Sequence, residues 1–222
     1  MQTLAPRSVL PVLVMSVVFV PPARAHESWL EAVDGGVSWK VGEGFSGALK
    51  PFVPTRIASF VGVSPDGGVG ALVVPDGGRE VFVPPQGLTA LALDSQPSTI
   101  TLSGEAFTQY LEEDGLDDVV AWRADAGQTK REGRERYRRS MKVVLSGPDV
   151  RMGQPLELTS PSLPLSAWGP LDVTLRWKGA PLPGRLVRAW NHHLGTLVVM
   201  SARTGPDGRV SFEVPWPGRW ML

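Results

Sequence analysis

Tight-turn sequences divide this chain of 222 residues into short segments, and this punctuation restricts the folds open to it. Pro-Asp-Gly occurs at 65–67, 75–77 and 206–208. In such turns proline presets φ, aspartate bonds to its own backbone, and glycine adopts positive φ without steric cost. Strand-like runs such as VSWKV (37–41) and RVSFEV (209–214) lie between the turns. This spacing predicts a mainly β fold of antiparallel sheets.

The first 25 residues predict an export signal. Arg7 precedes the apolar run SVLPVLVMSVVFV, and Ala23 and Ala25 form an Ala-x-Ala-like cleavage site. A spanning helix needs about 20 apolar residues, whereas this run is shorter and contains Pro11. We therefore expect cleavage between Ala25 and His26, which would release a periplasmic protein that does not itself span the membrane. An uncleaved anchor is the alternative.

Composition excludes several classes of function. Lys and Arg together number 22, as do Asp and Glu, and removal of Arg7 and Arg24 with the signal leaves 20 basic against 22 acidic residues. This balance argues against a nucleic-acid partner. The chain has no cysteine, so disulfides, thiolate nucleophiles and cysteine metal sites are excluded. No hydrolase, zinc-protease or phosphate-loop motif occurs, so we predict no catalytic residue and do not expect an enzyme.

The pattern changes between residues 103 and 145, which we predict to be mainly helical and to lie outside the β-cores. Helical spacing begins at Phe107, and Gly115 is a predicted break. Thr129 and Glu132 then form a capping box, a signal for a second helix. The first part is acidic and the second basic, so we expect a helical hairpin whose opposite charges face each other or solvent. The alternative for the basic part is an anionic partner or membrane surface.

Strands return after residue 145. We expect four regions: the signal (1–25), an N-terminal β domain (26–102), the helical segment (103–145) and a C-terminal β domain (146–222). The fold would thus contain two β-sandwich-like domains joined by a helical segment. The runs from 171 onward are typical of an immunoglobulin-like or transthyretin-like sandwich, and the chain stops inside an apparent strand, so we expect this domain to be truncated.

Several short sequences, taken in order, resemble one known family. They are AHESWL (25–30), VGEGF (41–45), RIASFVGVSPDG (56–67), FTQYLEEDGLDDV (107–119), RERYRRSMKVVL (134–145) and ARTGPDGRVSFEVPWPGRWML (202–222). The chain resembles bacterial periplasmic proteins that carry domain of unknown function 4198, historically linked to nickel and cobalt uptake. The resemblance implies two β-rich lobes around a helical segment and a link to transition-metal ions. It also implies a further C-terminal strand, often carrying histidine, that this chain lacks.

His26 is the first candidate metal ligand. Cleavage after Ala25 would give it a free α-amine, so the amine and one ring nitrogen could chelate a single ion. A third nitrogen would complete an arrangement that suits Cu(II). Glu27 could add an oxygen, and Trp29 could pack beside the site. The alternative is that histidine stands at this position by chance.

His192 and His193 are the other histidines of the chain. Neighbouring residues of a strand face opposite sides, so both could bind one ion only in a loop. The sequence NHHLG is typical of a loop tip, and a polar hairpin turn without metal is the alternative. The predicted metal site is thus His26, Glu27, His192 and His193.

Together these observations predict a periplasmic protein that binds nickel, cobalt or copper for uptake or delivery. Its expected partners are the metal ion and a metal-uptake membrane transporter. Two other classes stay open at this point. One is a structural or adaptor module of the cell envelope without metal, and the other is a copper-dependent oxidase that uses His26.

Overall fold

The computed structural model describes residues 27–74, 76–163, 169–193, 196–215 and 218–222, and in these ranges the protein is mainly β. The predicted cleavage site and His26 lie outside them. The strands before the helices are β1 (Glu27–Val33), β2 (Gly36–Glu43), β3 (Ser46–Lys50), β4 (Ile57–Val63), β5 (Val69–Ala71), β6 (Val81–Phe82), β7 (Ala90–Ser95) and β8 (Ser98–Leu102), with a 3₁₀ turn at Pro54–Arg56. No helix in the described ranges is long and apolar enough to cross a membrane.

Two helices and the remaining strands complete the chain. The helices are α1 (Gly104–Glu113) and α2 (Asp117–Asp125). The later strands are β9 (Gly133–Tyr137), β10 (Ser140–Val144), β11 (Leu156–Thr159), β12 (Gly169–Trp177), β13 (Ala180–Pro181), β14 (Leu186–His193), β15 (Thr196–Arg203), β16 (Arg209–Val214) and β17 (Trp220–Met221).

The N-terminal lobe contains two four-stranded antiparallel sheets around one core. One sheet has the order β1-β2-β3 with β6 beside β2, and the other has the order β10-β7-β4-β5. Strand β7 is buried along its whole length, as expected of a central strand between two neighbours. The core residues are Leu30, Val37, Trp39, Phe52, Phe60, Phe82, Leu91, Leu93 and Met141. The rings of Phe60 and Phe82 meet edge to face, with centroids 4.7 Å apart.

The C-terminal lobe buries its core between two further sheets. One has the order β11-β12-β13 with β16 beside β12, and the other has the order β15-β14-β17. Strand β16 alternates strictly, so Val210, Phe212 and Val214 face the core while their neighbours are exposed. Val187 and Ala189 of the second sheet pack against them. The prediction of two β-rich lobes therefore agrees with the cores, while the immunoglobulin-like detail and the domain boundaries stay predictions.

The helical prediction is correct for the first half of residues 103–145. The Ala106 N–H donates to Ser103 Oγ at 3.4 Å, which caps α1. Gly115, with φ of +67°, ends this helix and separates it from α2, as the sequence predicts. Phe107 and Leu111 are buried on the inner side of α1.

The helix predicted from Thr129 is wrong, because residues 133–137 and 140–144 are strands. Strand β9 pairs with β8 in a separate two-stranded ribbon, and β10 joins β7 in the N-terminal sheet. The sequence RERYR alternates between exposed and half-buried positions, which is the period of a strand. Arg123 donates to the backbone oxygens of Gln128 and Arg131, so the capping-box residues lie in a turn fixed by a buried guanidinium. Tertiary contacts thus override the local capping signal.

Ion pairs join helix α2 and strand β1 to the C-terminal lobe. Arg203 Nη2 lies 2.6 Å from Asp117 Oδ2, and Arg185 Nη1 lies 3.1 Å from Asp118 Oδ1. The acidic residues of α2 therefore pair with arginines of the second lobe, and not with the basic sequence that follows them. The expected helical hairpin is not formed and its opposite charges do not face each other, whereas the exposed arginines at 134, 136 and 138 face solvent, as the expectation also allowed.

Candidate functional site

The first described residue, Glu27, begins β1 where the processed chain would start. Its backbone pairs with Gly42, so β2 holds it at the edge of the N-terminal lobe. The side chain is half-buried, and its Oε2 atom is buried without a hydrogen-bond partner among the described residues. A buried carboxylate oxygen without a donor is costly, so this atom requires an explanation.

Burial raises the pKa of the Glu27 carboxyl above its ordinary value, and nearby negative charge adds to the effect. Glu43 and Asp114 contribute the repulsion, while a hydrogen bond from the Glu27 backbone N–H and the charge of the Arg188 guanidinium oppose the increase. The charged form of Glu27 is therefore disfavoured by its surroundings. A cation close to Oε2 would remove this penalty by adding the missing positive charge.

A second buried acid lies at the end of helix α1. Burial, followed by the charge of Glu135, raises the pKa of Asp114. The Tyr110 hydroxyl donates to Glu135 Oε2 at 2.6 Å, and burial together with this bond raises the Tyr110 pKa. Arg188 donates from Nη2 to the backbone oxygen of Glu113, which holds β14 against α1. We call Glu27, Tyr110, Asp114, Glu135 and Arg188 the junction cluster.

The structure corrects the prediction that His192 and His193 lie in a loop tip. Both belong to strand β14, where their backbones pair with Leu197 and Thr196 of β15. The backbone pairing of β14 with β15 continues through both histidines, which is further than the polar sequence NHHLG predicted. The assignment of His192 and His193 as metal ligands stays a prediction.

The end of β14 nevertheless lies on the same side of the molecule as Glu27. Leu197, the backbone partner of His192, packs against Gly44 in the turn between β2 and β3. Gly44 is two residues beyond Gly42, the partner of Glu27. The two segments that carry predicted ligands thus border the same turn.

The described residues do not by themselves form a metal centre. No three histidine or carboxylate side chains among them are grouped so that they could hold an ion. Glu27 is the one predicted ligand whose side chain the structure describes. Its unpartnered oxygen fits a metal ligand, and any further donors of a centre here would have to come from outside the described side chains.

A cavity of about 430 Å³ lies between the two lobes, bordered by β1, β10, β12 and residues 218–222. The charged side chains on its wall already have partners. Glu31 Oε2 lies 2.6 Å from Lys40 Nζ, and Lys142 Nζ lies 2.7 Å from Asp149 Oδ1. Because these charges neutralise each other, the cavity offers no free ligand group comparable to Glu27.

Sequence reasoning missed most of the junction cluster. The acidic residues of the first helical part were expected to face opposite charges or solvent, whereas Asp114 is partly buried at the helix end. The sequence did not identify Arg188 as a site residue, because an arginine in an alternating strand is expected to be exposed. The common feature of the missed residues is burial by contacts that are distant in sequence.

A protein-family model described as a domain of unknown function (DUF4198) matches residues 23–222. The match covers nearly the whole chain, including both lobes and the helices. No curated protein and no solved structure shows a significant match.

Proposed function

The chain belongs to the DUF4198 family, and we propose that it is an exported protein that binds a transition-metal ion at its processed N-terminus. The α-amine and imidazole of His26 and the carboxylate of Glu27 are the proposed ligands. Nickel, cobalt and copper are the candidate ions.

The observation that supports this proposal is the unpartnered Oε2 of Glu27, next in sequence to His26. A protein tolerates a buried carboxylate oxygen without a donor at a cost of about 1–3 kcal/mol or more. A metal ion bound there would offset this cost. The unpartnered oxygen of Glu27 lies one residue from His26, whose α-amine and imidazole would supply two nitrogens. These three atoms are the proposed donor set.

The chemistry of a processed N-terminus suits such a site. An α-amine has an unperturbed pKa of about 7.7–8.0, so a metal can displace its proton near neutral pH. The amine and an imidazole nitrogen of one residue close a chelate ring. Two nitrogens and one oxygen favour Cu(II) and Ni(II) over harder cations such as Mg²⁺.

Delivery or uptake is compatible with this donor set. A centre with few protein ligands leaves coordination positions open to a receiving protein. We therefore propose that the ion is cargo, passed to or from a metal-uptake membrane transporter in the periplasm.

The test is a calorimetric titration with Cu(II), Ni(II) and Co(II) of three proteins: one that starts at His26, the same protein with its α-amine acetylated, and His26→Ala. Acetylation removes the amine donor, and with it the chelate ring, without changing any side chain. We expect both altered proteins to bind at least about tenfold more weakly, since even outer-shell changes cost 10–100-fold. His192→Ala tests the other predicted ligand segment, and a loss of affinity in it would add the end of β14 to the proposed donor set.

Equal affinities in the three proteins would contradict the proposal and favour a structural or adaptor module without metal. Oxygen consumption by the copper-loaded protein in the presence of a reductant would instead support the copper-dependent oxidase.

A further inference from the structure

The β8–β9 ribbon has two chemically different faces. Cross-strand partners share a face, and Thr99 pairs with Arg136 while Thr101 pairs with Arg134. These four residues and Arg138 are exposed. We call Arg134, Arg136 and Arg138 the arginine row. Residues two apart on a strand are separated by about 6.7 Å, so Arg134 and Arg136 extend at this spacing from one face of β9, and Arg138 follows directly after the strand ends.

The inner face of the ribbon is fixed to helix α1. Gly133 packs so closely against the Phe107 ring that a Cβ atom would overlap it. The Tyr110–Glu135 hydrogen bond lies one residue away, and the Arg123 guanidinium covers the other part of the ring, 4.8 Å from its centroid. Because these contacts set the register and orientation of β9, they hold the arginine row outward.

The charges of the row are not neutralised within the described chain. None of the three arginines forms an ion pair there, although exposed arginines elsewhere do, such as Arg185 with Asp118. The nearest acid in sequence is Glu135, between Arg134 and Arg136, but it is half-buried on the inner face, where it accepts the hydrogen bond from Tyr110. The two acids that begin α2 are engaged with the C-terminal lobe, so the row retains its positive field.

We propose that the arginine row docks the protein on an anionic bilayer surface. Guanidinium groups bind phosphate oxygens through paired hydrogen bonds, and the neighbouring threonine hydroxyls add donors. Three exposed guanidinium groups on and directly after a strand that is fixed to α1 can face a flat, repeating array of phosphate headgroups together. A single small anion could contact only part of the row.

The expected strength is that of a weak, reversible contact. Each basic side chain near an anionic surface contributes about 1 kcal/mol, so three arginines together change the affinity about a hundredfold. The contact would hold an exported protein near a membrane transporter. It does not depend on the proposed metal site, which lies on β1.

The test is co-sedimentation of the protein starting at His26 with vesicles of phosphatidylglycerol and phosphatidylcholine, against vesicles of phosphatidylcholine alone. The triple variant R134Q/R136Q/R138Q removes the row. The control R79Q/R151Q/R209Q removes the same charge from exposed positions in three other segments. Circular dichroism confirms that both variants are folded, as expected for exposed substitutions.

We expect binding only to the anionic vesicles, about a hundredfold loss in the row variant and little loss in the control. Binding should also weaken as the ionic strength rises from about 0.01 M to about 1 M, where the Debye length falls from about 30 to 3 Å. Three results would each overturn the proposal: no preference for anionic vesicles, equal loss in both variants, or complete competition by millimolar inorganic phosphate. Stronger row-dependent binding to poly-glutamate than to vesicles would assign the row to an acidic protein partner and overturn the membrane assignment.

Discussion

The two ends of strand β1 carry the same side chain in opposite electrostatic conditions. Glu31 is buried and has two cationic partners, with Oε2 at 2.6 Å from Lys40 Nζ and Oε1 at 2.6 Å from Arg219 Nη1. Glu27, four residues earlier on the same face, is half-buried, and its Oε2 atom has no hydrogen-bond partner among the described residues. Its charged neighbours include two acids and one arginine.

This difference separates a structural carboxylate from a candidate ligand. Glu31 joins β2 to residue 219 of the C-terminal lobe, so its charge is used within the fold. Glu27 gains nothing comparable from the described residues, and burial raises its pKa. A protein keeps such a group at a cost to stability where function requires it.

Of the two substitutions Glu31→Gln and Glu27→Gln, Glu31→Gln should change the free energy of unfolding more, and it should lower it. It leaves Lys40 and Arg219 facing a neutral side chain, and the loss of one partner from a fully buried pair costs about 3–5 kcal/mol. Because the Arg219 side chain is 61 % exposed, we expect a smaller effect, about 2 kcal/mol. Urea unfolding measures it.

Arg219→Gln is the matched control for this effect, since it removes only the exposed partner and should cost less than about 1 kcal/mol. If Glu31→Gln lowered the free energy of unfolding no more than Arg219→Gln does, the ion pairs of Glu31 would not stabilise the fold as proposed.

Glu27→Gln should have a smaller effect of opposite sign on the metal-free protein. The folded-state pKa of Glu27 is raised, so its stability contribution is present below the unfolded value of 4.5 and is lost as pH rises through the folded value. At pH 7 the neutral glutamine avoids this penalty. We therefore expect the variant to be more stable than the native protein at pH 7, and the gain to disappear below about pH 4.

Thermal unfolding at pH 7 and pH 4 measures this gain. A destabilised Glu27→Gln protein at pH 7 would mean that the carboxylate already has a stabilising partner, and the contrast between the two ends of β1 would fail.

Turn chemistry and alternation made much of the fold predictable from sequence. The Asp-Gly turn at 34–35 joins β1 to β2, and alternation in RVSFEV identifies the inner face of β16. The helix predicted from Thr129 is wrong for a physical reason. A capping box is a local signal, and it stabilises less than the pairing of β9 with β8 and of β10 with β7. Only contacts distant in sequence reveal that RERYR is a strand.

The candidate site was less accessible to sequence reasoning. Glu27 was identified because it follows the predicted cleavage site, yet its missing partner is visible only in three dimensions. Asp114 and Arg188 approach it from α1 and β14, which are far apart in the chain. The prediction that His192 and His193 lie in a loop was wrong, because a polar sequence does not limit how far the strands of a hairpin pair, here β14 with β15.

The most direct measurement is the Cu(II) affinity of two variants, Glu27→Gln and Glu31→Gln, each in protein that starts at His26. The substitutions are chemically identical and lie at opposite ends of one strand. We predict that Glu27→Gln weakens Cu(II) binding at least about tenfold, whereas Glu31→Gln leaves it unchanged once both samples are shown to be folded. Unchanged affinity in Glu27→Gln, or an equal loss in both variants, would contradict a metal site at the processed N-terminus that uses the unpartnered oxygen of Glu27.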